Sequence, residues 1–359
     1  MRMNAIRFAY TKVFFIHLAC ITYVLIARVG HAEVGPSGKA VFTEKIVSAE
    51  QKEPWQHSLR ATSLSYLNTM STLTLRRDAE LTYNPYYAMT LALSPHYWFD
   101  EIFYLSGFVA MTGELTEADN TTYSHEIQFH DSVLKGGASN FWTIPHAKID
   151  LSFSLSSVFP TSKQSRAKTM ILGLRPELTL SRRFDLLGGL GLSYQLGATK
   201  FFNQYTTAQR ETPIVPHCLA GTGQCDAFLN TGVRNTDWRL ANSFAMSLDI
   251  TEWIGLSVSG GIIIDWLYEI EKSEDEPISW QAQESTDKRH TMVFGAEVYG
   301  RPLLPLVVAL GVSTVNPQLT PDSEYETPFF NRYTAVYLDL RLDFESLVDA
   351  FSPKKENKI

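Results

Sequence analysis

The sequence predicts an all-β fold, an antiparallel transmembrane β-barrel of about twelve strands, with ten strands as the alternative. Three observations predict it: an N-terminus typical of an exported protein, long runs of alternating apolar and small or polar residues, and connections that alternate between short and long. Composition decides little, because 45% hydrophobic and 19% charged residues are ordinary for a globular chain of 359 residues.

The first 32 residues are typical of a signal peptide. Arg2, Arg7 and Lys12 precede an apolar run over residues 13–27, and small residues flank a cleavage point after Ala32. An uncleaved membrane anchor is the alternative. Cleavage removes four basic and no acidic residues, which takes the net charge from −7 to −11. Such a chain is a poor nucleic-acid binder, so we expect no nucleic-acid partner.

The strands are indicated by strict alternation. Between residues 253 and 268 the even positions are mostly large and apolar, whereas the odd positions include Gly255, Ser257, Ser259, Gly261 and Asp265. A soluble β-sandwich also alternates, but its strands usually have about 5 to 6 residues, and a tilted membrane-crossing strand needs roughly 9 to 11. The apolar face therefore suits lipid and the small polar face suits a confined interior.

The connections support the same architecture. Links near 99–101, 181–183, 251–253 and 300–302 are short, and those at 76–85, 116–125, 202–237, 269–288 and 316–332 are long. A barrel with periplasmic turns and longer outer loops has this rhythm, with both chain ends on the periplasmic side. The alternating runs predict strands at about 63–75, 86–99, 103–115, 126–138, 147–158, 168–180, 185–201, 238–250, 254–268, 289–299, 303–315 and 333–344.

The predicted domain organisation follows from these elements. Residues 1–32 are the signal peptide, 33–60 a periplasmic N-terminal segment, 61–344 the barrel, and 345–359 a periplasmic C-terminal tail. Aromatic residues crowd the predicted strand ends, for example Tyr97-Trp98-Phe99 and Phe201-Phe202, as in the interfacial girdles of membrane barrels. We therefore expect the protein in the outer membrane of a bacterium, with outer-membrane lipid and the barrel-assembly machinery as partners.

The last strand, Val336-Tyr337-Leu338-Asp339-Leu340-Arg341-Leu342-Asp343-Phe344, resembles the C-terminal strand by which outer-membrane barrels are recognised for assembly. Family members usually stop at the final aromatic, whereas fifteen residues follow here. Residues 230–235, 314–319 and 328–333 look like those of uncharacterised outer-membrane proteins of myxobacteria-like species. The resemblance covers about residues 60–344 and implies a barrel and its location, but no activity.

Two cysteines remain after the predicted cleavage, Cys218 and Cys225, in a segment rich in Pro, Gly and Thr. Export to an oxidising compartment predicts a local disulfide between them. A metal site is the competing interpretation, but only His217 is nearby and a fourth ligand is missing. We expect no metal and no cofactor.

Charged residues on the small polar face are the best functional lead. In an open barrel they would line a water-filled pore, with an acidic excess that favours cations. In a closed barrel they would form buried ion pairs that fill the interior. The residues expected to face inward are Glu114, Asp150, Arg175, Glu177, Arg239, Asp249, Asp265, Glu297, Asp339 and Arg341, together with Asp185 and Asp343.

Three functions remain open from the sequence. The first is a narrow passive channel for small solutes or ions, and the second is a non-conducting structural or surface ligand-binding barrel. The third and most distant is an outer-membrane lipid hydrolase, which needs a Ser/His pair at the lipid-facing rim. Ser94 and His96 lie near a predicted turn, and the sequence contains no G-x-S-x-G elbow. An enzyme is therefore the less favoured interpretation.

Overall fold

The structure is a computed structural model that describes residues 59–75, 86–116, 126–211, 217–218, 225–226, 228–269, 287–303, 305–317, 325–327 and 329–351. The predicted signal peptide (1–32) and residues 33–58 of the predicted periplasmic segment lie outside these residues. Among the described residues, no helix is both long and apolar enough to cross a membrane.

Twelve antiparallel strands of 8 to 16 residues form one closed sheet. In chain order they are β1 (Ser63–Ser71), β2 (Tyr87–Ser94), β3 (Phe103–Glu114), β4 (Ser132–Ile144), β5 (Ile149–Phe159), β6 (Met170–Phe184), β7 (Gly189–Asn203), β8 (Thr236–Asp249), β9 (Ile254–Leu267), β10 (Lys288–Leu303), β11 (Leu306–Pro317) and β12 (Thr334–Asp343).

Each strand pairs with its neighbours in sequence, and β1 closes the barrel by pairing with β12, from Ser63 opposite Asp343 to Ser71 opposite Ala335. Closure leaves no unpaired sheet edge, which is the arrangement a spanning β structure requires. The prediction of a twelve-stranded antiparallel barrel is confirmed, and the ten-stranded alternative is wrong.

Some predicted boundaries are wrong. The fourth strand is interrupted: a short strand, Ile127–Phe129, precedes β4, which begins only at Ser132 and reaches Ile144. The predicted link at 181–183 belongs to β6, and the turn lies at 185–188. Likewise the predicted link at 300–302 belongs to β10. Polar residues at these strand ends resemble turn residues, but in a barrel they continue the inward face.

A short strand, His96–Trp98, follows β2 and also pairs with β3. One end of the barrel carries short connections, namely 99–102, 145–148, 185–188, 250–253 and 304–305, together with both ends of the barrel sequence. We call it the turn end and the opposite end the loop end. The loop end carries a 3₁₀ helix (Thr72–Leu75), helix α1 (Lys163–Ala167) and a hairpin of residues 207–211 and 228–234. Helix α2 (Phe344–Phe351) follows β12, and Asp343 Oδ1 caps it by accepting from the backbone N–H groups of Glu345 and Ser346.

The outward face of the sheet is apolar. Leu310 on β11 and Val298 on β10 are 63% and 51% exposed and lie opposite each other in the ladder. Aromatic side chains, including Phe99, Trp253 and Phe129, are exposed near the two ends. Phe201 departs from the predicted girdle, because it turns inward and packs with Val158 and Met170. An exposed apolar band between aromatic ends is typical of a barrel in lipid.

The backbone register places Cys218 opposite Cys225 in a two-residue ladder of the β7–β8 connection. Directly opposed antiparallel residues have Cα atoms about 4.5 to 5.5 Å apart, within the range that a disulfide bridges. We predict that both thiols of the unreduced, folded protein resist alkylation and react after reduction, as mass spectrometry would detect. Labelling of both cysteines without reduction would contradict the bridge.

Candidate functional site: the charged interior

The barrel interior is lined by charged side chains. All ten candidate residues lie on the strand face that points inward, which they share with buried small residues such as Ser156, Ser259 and Ser313. Glu114 accepts from Thr116 Oγ1 at 2.9 Å and Asp150 from Thr143 Oγ1 at 2.6 Å. The other eight are Arg175, Glu177, Arg239, Asp249, Asp265, Glu297, Asp339 and Arg341. The expectation for Asp185 is wrong, because this residue lies exposed in the turn at 185–188.

Four basic residues were missed by sequence reasoning: Lys135, Arg183, Arg289 and Arg301. Arg183 and Arg301 had been assigned to turns, Lys135 lies in the interrupted fourth strand, and Arg289 stands at a strand end. Period-two alternation does carry the signal, since each has the same parity as the inward residues of its own strand. Among the described inward residues, their positive charges offset the carboxylates, so the charge balance seen there gives no reason to expect cation preference.

A first ion-pair group lies at the turn end around Asp249. Its carboxylate accepts from Tyr299 Oη at 2.6 Å and lies 3.7 Å from Arg183 Nη2 and 3.8 Å from Arg301 Nη2. Three strands, β6, β8 and β10, thus meet through one carboxylate. The group therefore links three strands that are not adjacent in the sheet.

A second group lies at the closure seam between β1 and β12. Asp339 accepts from Arg341 Nη2 at 2.6 Å and from Ser65 Oγ at 2.5 Å, and Tyr337 Oη donates to Glu297 Oε2 at 2.9 Å. Asp339 is 3% exposed and Glu297 is 6% exposed. Carboxylates this deeply buried are tolerated only when they are paired and hydrogen-bonded, so the seam depends on this group.

Glycines opposite two tyrosines make room for these contacts. Gly311 faces Tyr337 and Gly255 faces Tyr299 across the ladder. A Cβ atom built on Gly311 would lie 2.4 Å from Tyr337 Cζ, and one on Gly255 would lie 2.3 Å from Tyr299 Cζ. Each ring therefore lies flat over its glycine and aims its hydroxyl at a carboxylate. Sequence reasoning missed these pairs, because the register between strands is needed to see them.

A third group, which we call the central ion pairs, extends from near the loop end towards the middle of the barrel. Arg239 and Asp265 lie three and two residues from the loop ends of their strands, and Arg239 donates Nε to Oδ1 at 2.6 Å and Nη2 to Oδ2 at 3.0 Å. Glu177, in the middle of β6, lies 3.5 Å from Lys135 Nζ and 4.0 Å from Arg175 Nε. Arg239, Arg175 and Glu177 line one cavity.

A second cavity, which we call the vestibule, lies at the loop end beside the central ion pairs, and its space of about 1010 Å³ includes open solvent at its mouth. Arg175, Thr199 and Arg239 line both cavities, so the two adjoin. Polar space thus continues from the vestibule to the central ion pairs.

Helix α1 and the residues after it form one wall of the vestibule. Ser162 caps α1 by accepting from Ser165 N at 3.0 Å, and Asp131 accepts from Ser162 N at 2.9 Å and also from Ser165 Oγ. Lys168 follows the helix, and water reaches its side chain from the vestibule. Protein surrounds it on the other sides, and this enclosure lowers the pKa of Lys168, as does the nearby positive charge of Arg239.

In the part of the chain that the structure describes, neither His96 nor His130 contacts a serine side chain at a lipid-facing rim. His96 Nδ1 contacts the backbone oxygen of Ser94 at 3.3 Å, at the turn end. His130 Nε2 lies 2.7 Å from Thr112 Oγ1, a residue of the inward face, and not at a lipid-facing rim. Within the described ranges, no group of three His, Cys, Asp or Glu residues could hold a metal ion.

No known protein family matches the sequence, and neither does any characterised protein. In the comparison of structures, an outer membrane channel from Pseudomonas putida F1 aligns with 81% of this chain and 99% of its own, at 8% identity and a TM-score of 0.46. LpxR from Salmonella typhimurium aligns with 79% of this chain and 100% of its own, at 12% identity and a TM-score of 0.36. The β domain of the Bordetella autotransporter BrkA aligns with 80% of this chain and 100% of its own, at 9% identity and a TM-score of 0.37. No function follows from likeness at this level.

Proposed function

We propose that the protein is exported, assembles in a bacterial outer membrane, and acts there as a narrow passive channel for small solutes or ions. The apolar outward band supports placement in lipid, with membrane lipid and the barrel-assembly machinery as partners. The observation that carries the channel proposal is the pair of adjoining cavities that leads from the loop end to the central ion pairs. Passage beyond them requires solutes to compete with these ion pairs.

A second candidate is a non-conducting barrel, favoured by the burial of the interior carboxylates. Glu177 and Asp339 are 4% and 3% exposed, and each has a basic partner. A twelve-stranded barrel lies between sizes filled by side chains and sizes that leave an aqueous channel. On this alternative the ion pairs close the interior, and only the vestibule is open to solutes.

Conductance of the purified protein in a planar bilayer distinguishes the two. We expect stepwise currents, and we expect Asp265→Asn to shift the reversal potential in a salt gradient towards anion preference, because Arg239 loses its counter-charge while its neighbours stay in place. Asp185→Asn, in the exposed turn, is the control and should leave the ion preference unchanged. A folded barrel that carries no current would overturn the channel proposal and support the second candidate.

A further inference from the structure

We propose that the vestibule at the loop end is a binding site for a small organic carboxylate, a molecule with one anionic group and a short apolar body. This site does not depend on conduction, since a closed barrel would present the same vestibule. The proposal rests on the charge of the vestibule, on its apolar wall and on the way its key lysine is held.

The charged side chains around the vestibule are mostly basic. Four of them are cationic, Lys163, Lys168, Arg175 and Arg239, and one is a carboxylate, Asp131. The Asp131 oxygens already accept from Ser162 N and Ser165 Oγ, within the cap of α1. The surface that a solute meets is therefore positive.

Most of these charges are already paired. Lys163 Nζ lies 2.8 and 3.0 Å from the two carboxylate oxygens of Glu126. Arg239 donates Nε and Nη2 to the two carboxylate oxygens of Asp265. Lys168 differs, because no carboxylate of the described residues lies within 4.0 Å of its ammonium group. Asp265 and Asp131 act on Lys168 only from beyond ion-pair distance, so an anion can bind its ammonium group without displacing an existing ion pair.

Part of the vestibule wall is apolar. Val158, Met170 and Phe201 line the cavity and pack against one another in a small cluster inside the barrel. Apolar side chains in contact with a water-filled cavity favour a ligand that covers them with its own apolar surface. The vestibule is open at its mouth, so a short chain can lie beside the charged contact.

The backbone holds Lys168 in place. Its N–H donates to Gln164 O at 2.9 Å, and its carbonyl oxygen accepts from Asn235 Nδ2 at 2.8 Å. Asn235 immediately precedes β8, so the end of α1 is tied to the rim of the barrel. A lysine held on a fixed backbone loses less freedom when it binds an anion, which favours affinity.

Isothermal titration of the detergent-purified protein with hexanoate at neutral pH tests the site, with hexanol as the uncharged probe of similar shape. We expect hexanoate to bind about tenfold or more tightly than hexanol, because the carboxylate gains a charge-assisted hydrogen bond. Lys168→Met keeps the length of the side chain and should weaken hexanoate binding by about tenfold or more.

Lys288→Met is the matched control, since Lys288 is exposed at the loop end, where its ammonium lies 5.7 Å from the ring centre of Trp266. This variant should bind hexanoate within about twofold of the unchanged protein. Equal affinity for hexanoate and hexanol, or a Lys168→Met variant that binds as tightly as the control, would overturn the proposal. A silent bilayer with selective hexanoate binding would instead reject only the channel.

Discussion

Replacing Asp339 with alanine will destabilise the barrel by about 3 to 5 kcal/mol, the usual cost of removing one partner from a buried ion pair. Asp339 is 3% exposed, and both Arg341 and Ser65 donate to its carboxylate. The substitution leaves the Arg341 guanidinium inside the barrel and removes the Asp339 carboxylate that it binds. Asp339 and Arg341 are both on β12 and Ser65 is on β1, so the substitution also removes a side-chain hydrogen bond across the seam that closes the sheet.

Equilibrium unfolding in urea, followed by tryptophan fluorescence in lipid vesicles, measures this effect. Asp150→Ala is the matched control, because Asp150 also faces inward but accepts a hydrogen bond from the Thr143 hydroxyl in a more exposed position. We expect it to cost less than about 1.5 kcal/mol, the upper end for a single ordinary hydrogen bond. Equal destabilisation by the two substitutions would show that the closure seam does not depend on the Asp339 ion pair.

The strands could be predicted because a barrel imposes one rule on nearly every residue: even and odd positions see different solvents. The run from Ile254 to Leu267 shows it clearly, with Ile262 outward and Ile263 buried inside. Ile263 also shows the limit of the rule, since an apolar side chain fits the interior where Ala241 and Val293 surround it. Periodicity assigns the face of a residue, and packing decides what the interior accepts.

Strand ends and breaks were predicted less well, because they depend on tertiary pairing. Arg182 and Arg183 read as turn residues, yet β6 continues through them, since Gly191 and Leu192 of β7 provide hydrogen-bonding partners. The break before β4 has a different origin. His130 and Asp131 leave the regular ladder there, and the Asp131 carboxylate binds the N-terminal end of α1.

The ion pairs could not be predicted from the sequence, although their members could. That Arg239 faces Asp265 depends on the β8–β9 register, which turn geometry sets. The vestibule depends in addition on a turn: the sequence predicts a strand over 168–180 that starts at Lys168, whereas β6 begins only at Met170 and Lys168 lies in the turn before it. The sequence therefore predicts which charged residues face inward, but their pairing follows only from the register of the closed sheet.

The placement of the barrel in a membrane is tested most directly by spin labels on two exposed positions, in a chain whose native cysteines are replaced by serine. Leu310→Cys lies on the outward band, 63% exposed, and Asp185→Cys lies in an exposed turn. In lipid vesicles we predict that the label at Leu310 collides with oxygen and is shielded from a water-soluble nickel complex, and that the label at Asp185 behaves in the opposite way. Ready collision of the nickel complex with both labels would contradict a membrane-spanning barrel, because the apolar band would then face water.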